Sequence, residues 1–265
     1  FTHPNRPLNS THRILTIEQA FLDAGIQINT NLPHAPIDDS LDSFEYWTAA
    51  ELHHAMERFH SKMSNTAQWE LWGLLAGEFE YPDVAGVMFD TKDLYQDPHH
   101  SPERQGFAVF RKHAWFNKLV LPAHPTESQL IANAKAMRRF LYVWVHEAGH
   151  AFNLVHSWEK GRANALSWMN YPREYGEGES DFWNNFQFNF DKEELIHLRH
   201  GNRDAVIMGG DFWGHGEHAE DFGALHLKAV GQLPIRLDIK SKKIFEYLEP
   251  VQIELRLKNL SLIHI

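Results

Sequence analysis

The residues best suited to chemistry lie between positions 146 and 156, where the sequence reads H-E-A-G-H-A-F-N-L-V-H. His146 and His150 are four residues apart, and Glu147 lies between them. On an α-helix, residues with this spacing differ by about 40° in direction and about 6 Å in height, so both imidazoles leave one face and can reach one metal ion. Glu147 would lie on the neighbouring face, where it can act as a general base on a metal-bound water without being a ligand.

A third histidine, His156, can join the same ion only if the helix ends before it. In a continuing helix it would lie about 9 Å beyond His150 and point away from the ligand face. Asn153 lies between the two, and asparagine tolerates the positive φ of a helix end better than any residue except glycine. The sequence therefore predicts a sharp turn near Asn153 and a three-histidine site for one catalytic Zn²⁺, with a coordination position left open for water.

These residues resemble the signature H-E-x-x-H-x-x-G-x-x-H of the metzincin zinc endopeptidases, with Asn153 in place of the usual glycine. Residues 167–171, S-W-M-N-Y, are similar to the Met-turn of that clan. The resemblance implies that Met169 lies beneath the metal, and that Tyr171 reaches the metal or the oxyanion as in the astacin-like and serralysin-like branches. Without the histidine motif, a core methionine and a half-buried tyrosine are the simpler interpretations of these two residues.

The resemblance also implies an α+β fold, with a twisted mixed β-sheet, two long helices above the cleft and an irregular, partly helical lower subdomain. We expect a catalytic domain over residues 1–233, its upper subdomain over about 1–156 and its lower one over about 157–233. Residues 251–258 alternate apolar and polar side chains, which is typical of a half-buried strand. Residues 234–265 are therefore predicted to form a β-rich tail or the start of an immunoglobulin-like module.

In the metzincins, an antiparallel edge strand of the sheet pairs with an extended polypeptide substrate. Strand addition of this kind gives affinity through backbone hydrogen bonds and preference through side-chain pockets. The position of Gly106–Phe110 in the chain predicts that this segment is the edge strand, with Gly106, Phe107, Ala108 and Val109 at the substrate. Trp168 is expected in the wall of a substrate pocket.

Local patterns predict the elements that would position these residues. Polar residues suited to capping predict helices that begin after four positions: Thr16, Thr48, Thr126 and Asp191. The helix after Thr126 is the long one that carries the histidine motif. Apolar and alternating segments predict five strands before it: residues 26–30, 69–79, 84–89, 106–110 and 114–120.

The composition of the chain limits the classes of partner that it can bind. The formal charge of −10 argues against a nucleic-acid partner, and no apolar run approaches the ~18 residues of a membrane span. The chain has no cysteine, so the disulfide patterns of animal extracellular members are absent. We expect a bacterial protein that is secreted or displayed at the cell surface.

The favoured hypothesis is thus a zinc-dependent endopeptidase in which Glu147 is the general base. The alternative is a non-catalytic, metal-containing binding module that recognises a glycan or a protein surface. The intact Glu147 favours the enzyme, because a degenerate site has no use for a base. The remaining histidine pairs are expected to be solvated rather than to bind metal: His99 with His100, His197 with His200, and His215 with His218.

Overall fold

The computed structural model describes residues 14–30, 36–37, 46–97 and 99–215, together with the backbone of two later strands at 235–241 and 253–259. The chain divides into two compact units, Phe1–Asp221 and Phe222–Ile265. The candidate site belongs wholly to the first unit. In the described part of the chain, no helix combines the length and the apolar character needed to cross a bilayer.

The first unit is built around a three-stranded mixed sheet. Its strands are β1 (Trp72–Ala76), β2 (Gly86–Val87) and β3 (Gly106–Phe110), in the spatial order β1-β3-β2. β1 runs parallel to β3 with Trp72 opposite Gly106, and β2 runs antiparallel to β3 with Gly86 opposite Val109. The expected α+β class with a mixed sheet is therefore confirmed at this level.

Helices surround this sheet in the described residues. They are α1 (Ile17–Asp23), α2 (Ala49–Phe59), α3 (Lys92–Tyr95), α4 (Glu127–Ala151), α5 (Glu179–Asn185), α6 (Lys192–His200) and α7 (Arg203–Val206). The four helix starts predicted from the sequence are confirmed, because the side chains of Thr16, Thr48, Thr126 and Asp191 each accept a backbone N–H of the first turn.

β3 is the central strand, so its predicted place at the sheet edge is wrong. All five of its residues are buried, since alternate side chains enter two different cores. Phe107 and Val109 join the larger core, which contains α4, while Ala108 and Phe110 join a smaller core with α2. The antiparallel edge strand of this sheet is β2.

The expectation of two long helices above the cleft is also wrong, because the two helices that pack on the sheet lie on opposite faces. α4, with 25 residues, packs against one face of the sheet, and α2, with 11 residues, packs against the other. Two predicted strands are also absent. Residues 26–30 form no strand, because Ile26 and Ile28 pack on the core without a strand partner, and residues 114–120 begin with a 3₁₀ turn at Ala114–Phe116.

The second unit contains an antiparallel pair, β4 (Ile235–Ser241) and β5 (Ile253–Asn259), with Ile235 opposite Asn259. β5 coincides with the predicted strand at 251–258 to within two residues. His218, one member of the histidine pairs named above, lies outside the described residues.

Candidate metal centre

The helix that carries His146 and His150 ends where the sequence predicts a turn. α4 finishes at Ala151, and Asn153 follows with φ of 65°. Asn153 N–H donates to the carbonyl of His150 at 2.8 Å, and Leu154 N–H donates to that of Gly149 at 3.2 Å. This pair of bonds is the Schellman arrangement, in which a left-handed residue reverses the chain and satisfies the last carbonyls of the helix.

Two further contacts fix this turn. The Asn153 side chain is buried, accepts Gly214 N–H at 2.9 Å and donates to the carbonyl of His215. The guanidinium of Arg104 is fully buried and donates to the carbonyls of Ala151 at 2.9 Å and Ile207 at 2.6 Å. The chain reversal is therefore held from both sides by groups far away in the sequence.

The reversal brings His156 back to the other two histidines. The Nε2 atom of His150 lies 3.1 Å from His146 Nε2 and 3.1 Å from His156 Nε2. The ligand atoms of all three side chains lie within 4.8 Å of one another. His146 and His150 are buried, and His156 is partly exposed.

Each imidazole is oriented through its other nitrogen. His146 Nδ1 donates to the carbonyl of Trp168 at 2.7 Å, and His150 Nδ1 donates to that of Leu154 at 2.7 Å. Carbonyl oxygens only accept, so in both rings the proton is on Nδ1 and the lone pair is on Nε2. His156 Nδ1 lies 3.0 Å from a carboxylate oxygen of Glu159, which favours the same tautomer.

Three lone pairs therefore point at one position. Neutral Nε2 atoms 3.1 Å apart are both acceptors and cannot bond to each other, whereas a cation between them would be bound by all three. Burial lowers the pKa of His146 to about 3, and lowers that of His150 well below its ordinary value, so these rings are neutral at neutral pH. A tetrahedral zinc ion bound at ~2.0–2.1 Å separates its nitrogens by roughly 3.3 Å, which this geometry nearly meets.

The three histidines can thus hold a metal ion. No family model, curated protein or solved structure matches this chain.

Glu147 lies beside the three histidines, against the edge strand. A Cβ added to Gly86 of β2 would be 2.7 Å from Glu147 Cγ and 3.0 Å from its Oε1. Glu147 is 7% exposed, and burial raises the pKa of its carboxyl to about 8, with a backbone hydrogen bond at Met88 opposing the shift. A nearby dication would lower this pKa again, because opposite charge favours the carboxylate.

Aromatic rings border the histidines. The ring of Tyr171 is 5.5 Å from that of His146 and 4.3 Å from that of His156, so Tyr171 lies at the site as expected. Burial raises the pKa of Tyr171, which keeps its hydroxyl protonated and able to donate. Trp213 stands edge-on to His150 at 5.0 Å, a neighbour that the sequence did not indicate.

Met169 lies beneath the helix. It is fully buried, and its sulfur occupies the space that a Cβ at Gly149 would need. The preceding residue, Trp168, supplies the carbonyl that orients His146, but its side chain is 0% exposed and belongs to the core. The prediction of Trp168 as a substrate-pocket wall is therefore wrong.

The substrate role predicted for β3 fails for the same reason. The four residues Gly106, Phe107, Ala108 and Val109 are buried and pair with β1, and Ala108 and Val109 also pair with β2 on the other side. β3 is therefore the central strand and not an edge. An apolar run of five residues with both faces covered is typical of a central strand. The error lay in strand order, which depends on distant pairing.

Sequence reasoning also missed Glu194, which ties the loops of the site together. This buried carboxylate accepts the hydroxyls of Ser157, at 2.7 Å, and of Ser167. One serine follows His156, and the other precedes Trp168. The available signal was the capping box Asp191–Glu194, which predicts only the start of α6.

Proposed function

We propose that the chain is a zinc-dependent endopeptidase related to the metzincins. The observation that carries the proposal is the convergence of three Nε2 lone pairs whose Nδ1 atoms are already bound to protein acceptors. When bound to His146, His150 and His156, zinc supplies a Lewis acid that polarises a carbonyl and lowers the pKa of water. The other roles belong to side chains of this protein.

Glu147 is the general base of the proposed reaction. In its ionised form the carboxylate accepts a proton from the attacking water and later donates it to the leaving amine nitrogen. Glu147 is buried beside the ligands, and its side chain faces the edge strand. Among the described residues it forms no ion pair that would compete with this role. Tyr171 donates its hydroxyl proton as a hydrogen bond to the oxyanion, a stabilisation of order 2–4 kcal/mol for such donors.

The substrate in this proposal is an extended polypeptide that adds to β2. This strand is antiparallel to β3 and is the edge nearest Glu147 in the described sheet. Strand addition places a backbone carbonyl along the edge without demanding a particular side chain. α2 lies on the opposite face of the sheet from α4, unlike the expected arrangement, so support for the proposal comes from the site and not from helix placement.

The test is proteolysis of unfolded casein with matched variants. We expect the parent to hold a metal ion at the three histidines and to cleave, and chelator to stop cleavage. Glu147→Gln should lower the rate at least about 100-fold while keeping this metal, because the base is lost but the ligands are not. Glu127→Gln is the control, since Glu127 is an exposed glutamate in the first turn of the same helix.

The alternative binding module predicts another outcome. The parent protein would then bind zinc at these histidines but cleave casein and gelatin no faster than Glu147→Gln does. That result would refute the endopeptidase and support the binding module. Cleavage that survives in His146→Gln would show that any hydrolysis comes from another source.

A further inference from the structure

A second cluster of metal-binding side chains lies on the α2 side of the sheet. It consists of His53 from α2, Asp90 from the segment after β2, and His100 from the loop that leads to β3. The ligand atoms of these residues lie within 4.8 Å of one another. No residue of this cluster takes part in the site proposed above.

Asp90 is at the centre of the cluster. Its side chain is fully buried, and its Oδ2 atom accepts Gln105 N–H at 2.6 Å. The other oxygen, Oδ1, faces both histidines, 2.6 Å from His100 Nε2 and 3.2 Å from His53 Nδ1. One carboxylate oxygen is therefore fixed by the backbone, and the other is shared by two imidazoles.

The buried Nδ1 atom of His53 is an independent observation that points to a metal ligand in the cluster. Its ring is 3% exposed, yet Nδ1 makes no well-aligned hydrogen bond despite its closeness to Asp90. Its Nε2 atom lies 3.6 Å from a carboxylate oxygen of Glu57, which is too far for a hydrogen bond. A buried ring nitrogen that lies beside a carboxylate oxygen without an aligned hydrogen bond would be satisfied by a cation bound to both atoms.

We propose that His53, Asp90 and His100 bind a second transition-metal ion, of the zinc class, with a structural role. Two imidazole nitrogens and one carboxylate oxygen suit zinc, whereas calcium and magnesium prefer oxygen ligands throughout. The ion joins α2 to both ends of the segment between β2 and β3. That segment includes Arg104, whose guanidinium holds the end of α4.

Binding requires a small rearrangement and the loss of a proton. Two ligands of one zinc ion are roughly 3.3 Å apart, so the Asp90–His100 contact must widen, and His100 lies in a loop. At their 2.6 Å separation, His100 Nε2 and Asp90 Oδ1 must share a proton, and this proton leaves when the ion binds.

The experiment removes the first site and counts ions at the second. The variant His146→Gln/His150→Gln/His156→Gln is freed of metal with chelator and titrated with Co²⁺, whose visible absorption reports low-symmetry nitrogen and oxygen coordination. We expect one equivalent to bind in this variant and two in the parent. Adding His100→Ala should abolish binding to the triple variant. Adding His99→Ala or His54→Ala should not, because those neighbouring histidines are exposed.

A folded triple variant that takes up no Co²⁺ overturns the proposal, and so does uptake that His100→Ala leaves unchanged. If circular dichroism shows that the triple variant does not fold, the parent and its single His100→Ala variant decide instead. Two equivalents falling to one support the second site, and equal stoichiometry refutes it. Casein cleavage by the parent is measured separately, so neither result depends on the proposed peptidase activity.

Discussion

The turn at Asn153 allows the backbone and side-chain contributions to the metal centre to be measured separately. Two variants are needed. Asn153→Gly keeps the positive φ without strain but loses the side-chain bonds to the 212–215 segment, and Asn153→Ala loses those bonds and is also strained at φ of 65°. Asn117→Ala is the control, because Asn117 is exposed and has right-handed backbone angles.

The magnitudes follow from the contacts. Loss of the buried side-chain bonds should cost about 1–3 kcal/mol, because Gly214 N–H is left without its acceptor. The left-handed conformation costs an L-residue such as alanine about 1–2 kcal/mol more than glycine. We therefore expect Asn153→Gly to lower the free energy of unfolding by about 1–2 kcal/mol, after relief of backbone strain, and Asn153→Ala by about 2–4 kcal/mol.

The assay is urea unfolding of the metal-free proteins, followed by zinc competition with a chelating dye. If the extra strain in the alanine variant is relieved by moving His156 away, zinc should bind roughly 5–30-fold more weakly to Asn153→Ala than to Asn153→Gly. Equal stability and equal affinity of the two variants would show that the positive φ is not a constraint on the site. A loss as large in Asn117→Ala would show that the effect is not specific to the turn.

Three further outcomes test the packing around α4. Gly86→Ala should lower the free energy of unfolding in urea by about 1–3 kcal/mol, because the added Cβ would lie 2.5 Å from Val143 Cγ1. The control Gly77→Ala should change it by less than about 0.5 kcal/mol, because the Cβ added there has only one contact, at 3.9 Å. Arg104→Met should lower the free energy of unfolding by at least about 3 kcal/mol in the same assay, because several backbone carbonyls lose a charged hydrogen-bond donor. A near-neutral result would show that water replaces the guanidinium as the donor to these carbonyls. Burial lowers the pKa of His113 in the folded protein, so the unfolded chain binds a proton at His113 more tightly than the folded protein does. The contribution of His113 to the free energy of unfolding is therefore fully present above pH 6.5 and is lost as the pH falls towards the pKa of His113 in the folded protein. Between about pH 7 and about pH 5 the parent should therefore lose more stability than His113→Asn, and parallel losses would contradict this account.

The sequence predicted what depends on neighbouring residues. The N-caps at Thr48 and Thr126 and the reversal at Asn153 are encoded within a few positions, and the structure has all three. The position of Tyr171 beside the histidines also followed from a local motif.

Features that depend on distant pairing were not predictable in this way. Gly106–Phe110 has the composition of a strand, but nothing local says whether one or both of its edges are paired. Glu194 carries the signal of a helix cap, and its bonds to two serines arise only in the folded chain. Asp90 and His53 are 37 positions apart, so no spacing rule connects them.

The Nδ1 partners of the three histidines imply a thermodynamic coupling. Leu154, Glu159 and Trp168 all lie C-terminal to the helix, so the rings are held in place by chain that α4 itself does not contain. Opening of residues 154–170 would release the ion even with every ligand present. By linkage, micromolar zinc should then slow amide hydrogen exchange in that stretch more than in the first half of α4.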